Sequence, residues 1–379
     1  MPYFLFYISI LSFLVPLVHL LLSFIGIKAQ INLPDDSLYT GVKIEIEYRL
    51  KNKNFFSIPM INFSSDISKI LSGKKTTIKT LSLGPFEDFR FRDTIRLKRR
   101  GFYELVDLKV EISDIYSLFT FKKEFHNKTN LLVYPNIIEL DSFKIYSNKN
   151  LGELSMQDSI FEDKTSISSI KEYTEGDSIN QIHWKVSAKR GTPMVKSFEP
   201  VSNANLNIFI NNNKLYFKDD FDRHIEDKIV DTSLAIVNYL LNLDIDLSLN
   251  TFSKKELIEI SNIKKENLKV FLEMFARFKG NGESSIIDLI EEKMYSFIDN
   301  SMIMIITPNL DKEMGEIALK LKMKNLIPIF IIVTDKENND PLINKDIENR
   351  LTEENIELYF IDYNSNIKEE LEIKHGKNI

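Results

Sequence analysis

The sequence predicts a mixed fold, α/β plus all-β. It comprises an N-terminal transmembrane helix, an Ig-like β-sandwich and then a doubly wound α/β domain. Three observations predict it. Residues 1–27 contain no Asp, Glu, Lys or Arg. Between about Ile31 and Tyr134 the chain runs in short alternating segments punctuated by Gly. After Ala204, short apolar runs alternate with amphipathic helical stretches. The expected divisions are an anchor over 1–29, a sandwich over 30–135, a connecting region over 136–203 and the α/β domain over 204–379.

Composition narrows the function classes. A chain of 379 residues holds about two or three domains. With 49 basic and 55 acidic residues the net charge is −6, which argues against a general nucleic-acid binder. The absence of cysteine excludes disulfides, Cys-ligated zinc, iron–sulfur clusters and thiol nucleophiles. Only 12 glycines are present, which argues against glycine-rich phosphate loops.

The anchor comes first. Tyr3 to Ile27 is apolar and long enough to span a bilayer as a helix. Pro16 is tolerated there, and His19 is expected to face a neighbour or snorkel. The run has no basic residue before it and no small-x-small cleavage site, so it reads as uncleaved rather than as a signal peptide. Lys28, Lys43, Arg49, Lys51 and Lys53 follow it, and the positive-inside rule places the C-terminal part in the cytoplasm.

The sandwich strands follow. Val42 to Leu50 alternates apolar and charged residues with period two. Further strands are expected at 55–63, 75–82, 89–98, 106–113 and 131–134. In the last domain, strands are expected at 206–210, 245–252, 302–306, 326–333 and 356–361. Helices are expected at 221–242, 265–279, 284–298, 311–324 and 340–352. Continuous apolar strands between helices predict a mainly parallel sheet covered on both faces, with any ligand at the carboxyl ends of its strands.

The densest polar segment is Lys171 to Pro200, which holds the single Trp of the chain. Glu175-Gly176-Asp177 and Gly191-Thr192-Pro193 read as turns. Between them, 182–188 is either a strand or a short helix, and Met194 to Phe198 reads as a strand. His183 has the chemistry of an acid or base, and Lys185 that of a charge stabiliser. The bland reading is that Asp177 caps backbone amides and Trp184 packs as a hydrophobic anchor with cation–π contacts. The stretch Arg96-x-Lys98-Arg99-Arg100 reads as a solvated or ion-paired sheet face rather than a nucleic-acid site.

Tyr173-x-x-Gly176-Asp177, then Ile182-His183-Trp184-Lys185-x-Ser187-Ala188-Lys189, then Val195-Lys196-x-Phe198-Glu199, closely resembles the signature of the DUF 58 family. Upstream, Arg99-Arg100-Gly101-Phe102-Tyr103 resembles the family's Arg-Arg-Gly-x-Tyr stretch. Asp114 to Phe119 resembles its Asp-Pro-Phe-Gly-Leu-Phe turn with Pro and Gly replaced, and Val133-Tyr134-Pro135 matches its strand end. The resemblance implies a membrane-anchored protein in which a β-sandwich precedes a domain similar to the von Willebrand factor type A fold. It also implies a MoxR-type AAA+ ATPase as partner, and no established enzymatic activity. Many members show two N-terminal membrane helices, whereas one is recognisable here.

The type A fold often holds a divalent cation on an Asp-x-Ser-x-Ser loop after its first strand, through hard oxygen ligands. The corresponding place here reads Asn211-Asn212-Asn213-Lys214, with no carboxylate and with an added cation. Ser284 and Ser285 are expected on a second loop, and Thr307 at the end of the fourth strand. Asp311 is expected to cap the following helix. No metal and no cofactor is therefore expected. No Gly-x-Ser-x-Gly, His-Glu-x-x-His or P-loop occurs.

The expected function is a non-enzymatic, membrane-anchored interaction protein. It would work with the ATPase and other membrane proteins in assembling or remodelling envelope complexes. The expected docking residues are Tyr173, Gly176, Asp177, His183, Trp184, Lys185, Ser187, Lys189, Lys196, Glu199, Asn211 and Asn213. Two alternatives stay open: a hydrolase using His183, Asp177 and Lys185, and a metal-dependent adhesion module.

Overall fold

A computed structural model describes residues 2–34, 38–114, 116–143, 162–173, 182–200, 206–261, 268–335 and 342–372. It is a mixed α/β structure with an N-terminal apolar helix and several sheets. The chain divides into two compact units, Met1–Asn136 and Ile137–Ile379.

The first unit opens with helix α1 (Pro2–Gly26), which contains Pro16 and no charged residue. By length and composition it can cross a membrane. Strand β1 (Ile27–Asn32) follows directly and pairs antiparallel with β3 (Lys43–Asn52), Ile27 opposite Asn52. Residues 27–29, expected within the anchor, therefore belong to a sheet. The reason is their alternation: Ile27 and Ala29 are buried and Lys28 is exposed.

Strand β6 (Asp88–Arg96) completes this three-stranded sheet. The second sheet runs β2 (Leu38–Tyr39), β8 (Thr120–Tyr134), β7 (Gly101–Ser113), β4 (Ile58–Ser65), β5 (Thr77–Leu83). A short helix α2 (Ile67–Ser72) links β4 to β5. The two sheets share one hydrophobic core. Tyr48 and Phe91, stacked 5.0 Å apart in the first, meet Phe63 from the second at ring-centroid distances of 5.1 and 5.3 Å. Each such aromatic pair adds about 0.5–1.5 kcal/mol beyond its buried area.

The β7–β8 turn is closed by Asp114, which is 1% exposed. Its carboxylate accepts from the Tyr116 and Phe119 amides at 2.9 and 2.7 Å. Ser117 takes φ 54° at the place where the resembling turn has Gly. In the basic run, Arg100 is buried and Arg96 donates to the Gly41 carbonyl, so this is no continuous cationic patch.

In the second unit, β9 (Glu162–Glu172) and β10 (Met194–Pro200) form an antiparallel pair, with helix α3 (Trp184–Arg190) between them. Part of the segment read as an irregular connector is thus a hairpin-like pair. The Glu, Lys, Thr and Ser of β9 lack the apolar alternation that marks a strand.

The main sheet contains β11 (Leu206–Ile210), β12 (Leu247–Ser253), β13 (Glu256–Ile260), β14 (Met302–Thr307), β15 (Ile327–Thr334) and β16 (Glu357–Asp362), in the order β13-β12-β11-β14-β15-β16. All neighbours are parallel except the edge strand β13. The connecting helices are α4 (His224–Asn242), α5 (Leu268–Arg277), α6 (Ile286–Lys293), α7 (Lys312–Met323) and α8 (Lys345–Glu353), and α9 (Ile367–Glu372) follows β16. Helices α6, α7 and α8 cover one face, where Ile303, Ile305, Phe330 and Ile332 are buried. Helix α4 packs on β14 and β15 from the other. Burial on both faces explains the apolar runs of β14 and β15.

Candidate functional site

Two places hold the residues singled out in the sequence. The first is α3. His183 is its N-cap: the carbonyl accepts from the Val186 and Ser187 amides at 2.9 Å, and Nδ1 accepts from the Val186 amide at 3.4 Å. The His183 amide donates to the Met194 carbonyl at 2.7 Å, and Ser187 Oγ accepts from the Met194 amide at 2.8 Å. These bonds fasten α3 to β10, whose Met194 and Val195 are buried. Gly191 ends the helix at φ 76°, the left-handed position that favours glycine.

His183 and Ser187 thus hold the backbone. Trp184, expected to pack as an anchor, is instead 71% exposed. A seven-residue helix pinned through its first turn has no buried face to receive it. Lys185, Lys189 and Arg190 on the same helix are exposed, Lys196 is half-buried, and Tyr173 is 38% exposed. Glu199 lies in β10. Gly176 and Asp177 lie outside the described residues.

The second place is the carboxyl end of the main sheet. The chain leaves β11 toward β12 and later returns to β14 on its other side, which makes β11/β14 the switch point of the sheet. The loops after both strands meet there. Asn211, 2% exposed, donates through Nδ2 to Thr307 Oγ1 at 3.1 Å and to Asn309 Oδ1 at 2.8 Å, and its Oδ1 accepts from the Asn213 amide at 3.2 Å. Thr307 Oγ1 donates to Asn309 Oδ1 at 2.6 Å, and Asn309 Nδ2 donates to Asp311 Oδ2 at 2.7 Å. Asp311 also accepts from Tyr216 at 3.2 Å and caps α7 through the Met314 amide at 3.0 Å. Burial first, then the Asp311 charge, pushes the Tyr216 hydroxyl up to about 12.

The surrounding loops are tied down as well. Asn212 donates to the Lys279 carbonyl at 3.0 Å, and Asn213 caps the Leu215 amide at 3.0 Å. Lys214, expected to repel a cation in the loop, is turned to Glu283 at 2.9 Å. Ser285 is the N-cap of α6.

A hard cation takes oxygen ligands. Here an amide nitrogen faces the Thr307 and Asn309 oxygens, so the residues do not fit such an ion. Among the described residues, no group of three His, Asp or Glu is placed to hold a metal. Asn309 and Tyr216 were not foreseen from sequence. The polar alternation Thr307-x-Asn309-x-Asp311 after an apolar strand was the available signal for the first.

A family described as "Protein of unknown function DUF58" matches residues 169–237. The chain carries a DUF58 match. It runs from β9 through α3, β10 and β11 into α4, and so joins both places just described. The "Uncharacterized protein YeaD" of Bacillus subtilis strain 168 is 24% identical to this DUF58-matching chain over 158 residues, 41% of this chain and 37% of the relative. The chain therefore covers little more than a third of that relative's length. Among solved structures, the CARDB domain of the PF1109 protein from Pyrococcus furiosus, crystallised with di-metal ions, aligns at 17% identity and TM-score 0.20, over 28% of this chain and 91% of that one. Proximal thread matrix protein 1 from the mussel byssus aligns at 14% identity and TM-score 0.30, over 44% of this chain and 45% of that one. Neither likeness bears on function.

Proposed function

We propose that the protein is a single-pass, membrane-anchored, non-enzymatic interaction protein whose α/β unit is von Willebrand factor type A-like. In this reading it works with a MoxR-type AAA+ ATPase in the assembly or remodelling of envelope complexes, with the C-terminal unit in the cytoplasm. The observation that carries the reading is the exposed Trp184 on α3, a short helix that also exposes Lys185, Lys189 and Arg190. An exposed Trp is costly to leave in water and is a residue type that dominates the energetics of protein interfaces. At the switch point, Asn211, Thr307, Asn309 and Asp311 spend their polar atoms on one another, which supports a rigid platform. The ATPase rests on resemblance to the DUF 58 family.

The test is affinity purification of tagged full-length protein from gently solubilised membranes, with ATP and a crosslinker. The expected result is co-purification of an AAA+ ATPase, strongly reduced by Trp184→Ala. Absence of any ATPase under crosslinking contradicts the partnership.

A further inference from the structure

We infer that the end of the β-sandwich from which α1 emerges is itself a membrane-binding surface, seated in the headgroup and upper acyl region of an anionic leaflet. This rests on the reading of α1 as a membrane span.

Helix α1 is docked, not free, over its last two turns. Leu20 and Ser23 are buried, and the His19 ring lies 4.8 Å from Phe56, with Nε2 3.0 Å from the Ser57 carbonyl. Asn54 Nδ2 donates to the Leu22 carbonyl at 3.1 Å, and the Lys53 amide to the Gly26 carbonyl at 3.0 Å. Lys123 Nζ donates to the Phe24 carbonyl at 2.7 Å, which closes the helix end with a cation. The part ahead of these docked turns, Tyr3 to Val18, is roughly 16 residues or about 24 Å, against about 30 Å of hydrocarbon. The missing length is available only on the outer face of the docked turns, where Leu21, Leu22 and Ile25 are exposed. A bilayer that covers them brings its hydrocarbon boundary down to the level of Phe56.

Strand register shows what else stands at that level. Ile58 pairs with Leu83, Met60 with Ser113, Ser113 with Thr120 and Ile27 with Asn52. The loops 53–57, 84–87 and 114–119 therefore share one end with the exit of α1. Each carries an exposed apolar side chain: Phe55 at 76%, Phe86 at 64%, and Tyr116 and Leu118 at 67% and 55%. Phe86 is held at φ 57°, a backbone state that disfavours a bulky residue, and its amide donates to the Asn54 carbonyl at 3.0 Å. Phe119 lines an open apolar groove with Ile10, Phe13 and Leu17, so the β7–β8 turn reaches up beside the helix.

Charge at this end is also of the right kind. Lys28 stands opposite Lys51 in the β1–β3 register, and Lys53 follows. A hydrogen bond with Lys28, then the Lys28 charge, holds Lys53 below the usual lysine range. The carboxylate opposite Lys51, Asp88, is engaged by Arg49, with Arg90 at 3.7 Å. Exposed aromatic side chains at the same end as these lysines fit an interface of anionic headgroups over acyl chains, and Glu87, the exposed carboxylate of the 84–87 loop, is turned to the Gly84 amide at 2.6 Å.

The chain has no cysteine, so single nitroxide labels are clean. Full-length protein is reconstituted in vesicles of phosphatidylcholine and phosphatidylglycerol. Labels are placed by Phe55→Cys, Phe86→Cys, Tyr116→Cys and Leu118→Cys, with Leu11→Cys on α1 and Ile70→Cys on α2 at the opposite end. The expected result is that Leu11 and the four loop positions favour oxygen over a water-soluble nickel chelate as collision partner, and Ile70 the reverse. If Leu11 reads lipid while the loop positions read like Ile70, this surface is refuted and the anchor stands. If Leu11 also reads water, the span itself fails. Loop labels shielded from both reagents would mean a protein covers this end, which equally overturns the proposal.

Discussion

Asn211→Ala is the sharpest probe of the switch-point network. It deletes two donated bonds, to Thr307 Oγ1 and Asn309 Oδ1, and one accepted bond, from the Asn213 amide. Three neutral hydrogen bonds at about 1 kcal/mol each set an upper figure of about 3 kcal/mol. Thr307 and Asn309 keep each other at 2.6 Å, so the orphaned group is the Asn213 amide alone. That lowers the expected loss to about 2–3 kcal/mol. A two-unit chain has no single unfolding free energy, so the readout is native-state hydrogen exchange by mass spectrometry. Peptides over 206–217 and 302–314 are expected to exchange roughly 30- to 150-fold faster in their slowest amides, since about 1.4 kcal/mol is tenfold. Sandwich peptides over 58–65 are expected to be unchanged. An acceleration below about threefold at the switch point, or an equal one in the sandwich, refutes the reasoning. Asn211→Asp is expected to cost more than Ala at neutral pH, because it sets a buried charge against the Asn309 oxygen.

Three further outcomes are expected. Lys123→Met removes a charged donor from the end of α1 and a cation 4.9 Å from the Phe24 ring centre, and is expected to loosen β8 by about 1–3 kcal/mol in hydrogen exchange. Burial pushes the Glu357 carboxyl up to about 7, so its stabilising contribution is full below the unfolded value of about 4.3 and lost as pH rises through about 7. Glu357→Gln is accordingly expected to raise the melting temperature at pH 8 and leave it nearly unchanged at pH 4. Gly282→Ala drives a methyl into Asn212 Oδ1 and within 3.0 Å of the Asn212 carbonyl, and is expected to destabilise the loop by about 1–3 kcal/mol, read as faster exchange over 206–217.

Much of the architecture was legible because burial writes a period into the sequence. Lys43 to Asn52 alternates because one face of β3 meets the core. β14 and β15 are unbroken apolar runs because helices cover both faces. The elements that escaped are those whose pattern carries no such period. β1 is hidden by its continuity with the apolar helix. β13 is a short edge strand, Glu256 to Ile260, whose two glutamates stand three apart and so break a period of two, and it is entered through a turn with Lys254 at φ 54°. β8 extends over Thr120–Tyr134, and only its last four residues carry a strand pattern in the sequence, since its outer face is polar and mostly exposed.

The site was legible in part for a related reason. Thr307 and the capping role of Asp311 follow from their places beside a strand and a helix, whereas Asn211 stands out through the resemblance to the type A loop. Tyr216 enters through a contact across 95 positions, which local pattern does not record. Trp184 departs from the usual burial of a Trp because α3 is too short to bury one face.

The most direct measurement is photocrosslinking from position 184. A benzophenone amino acid is incorporated in place of Trp184 in the full-length protein in intact membranes, with Tyr295, 70% exposed, as a control position. The account predicts a discrete adduct from 184 that contains an AAA+ ATPase and is absent from 295. No adduct at 184, or the same adducts from both positions, would contradict α3 as the docking surface.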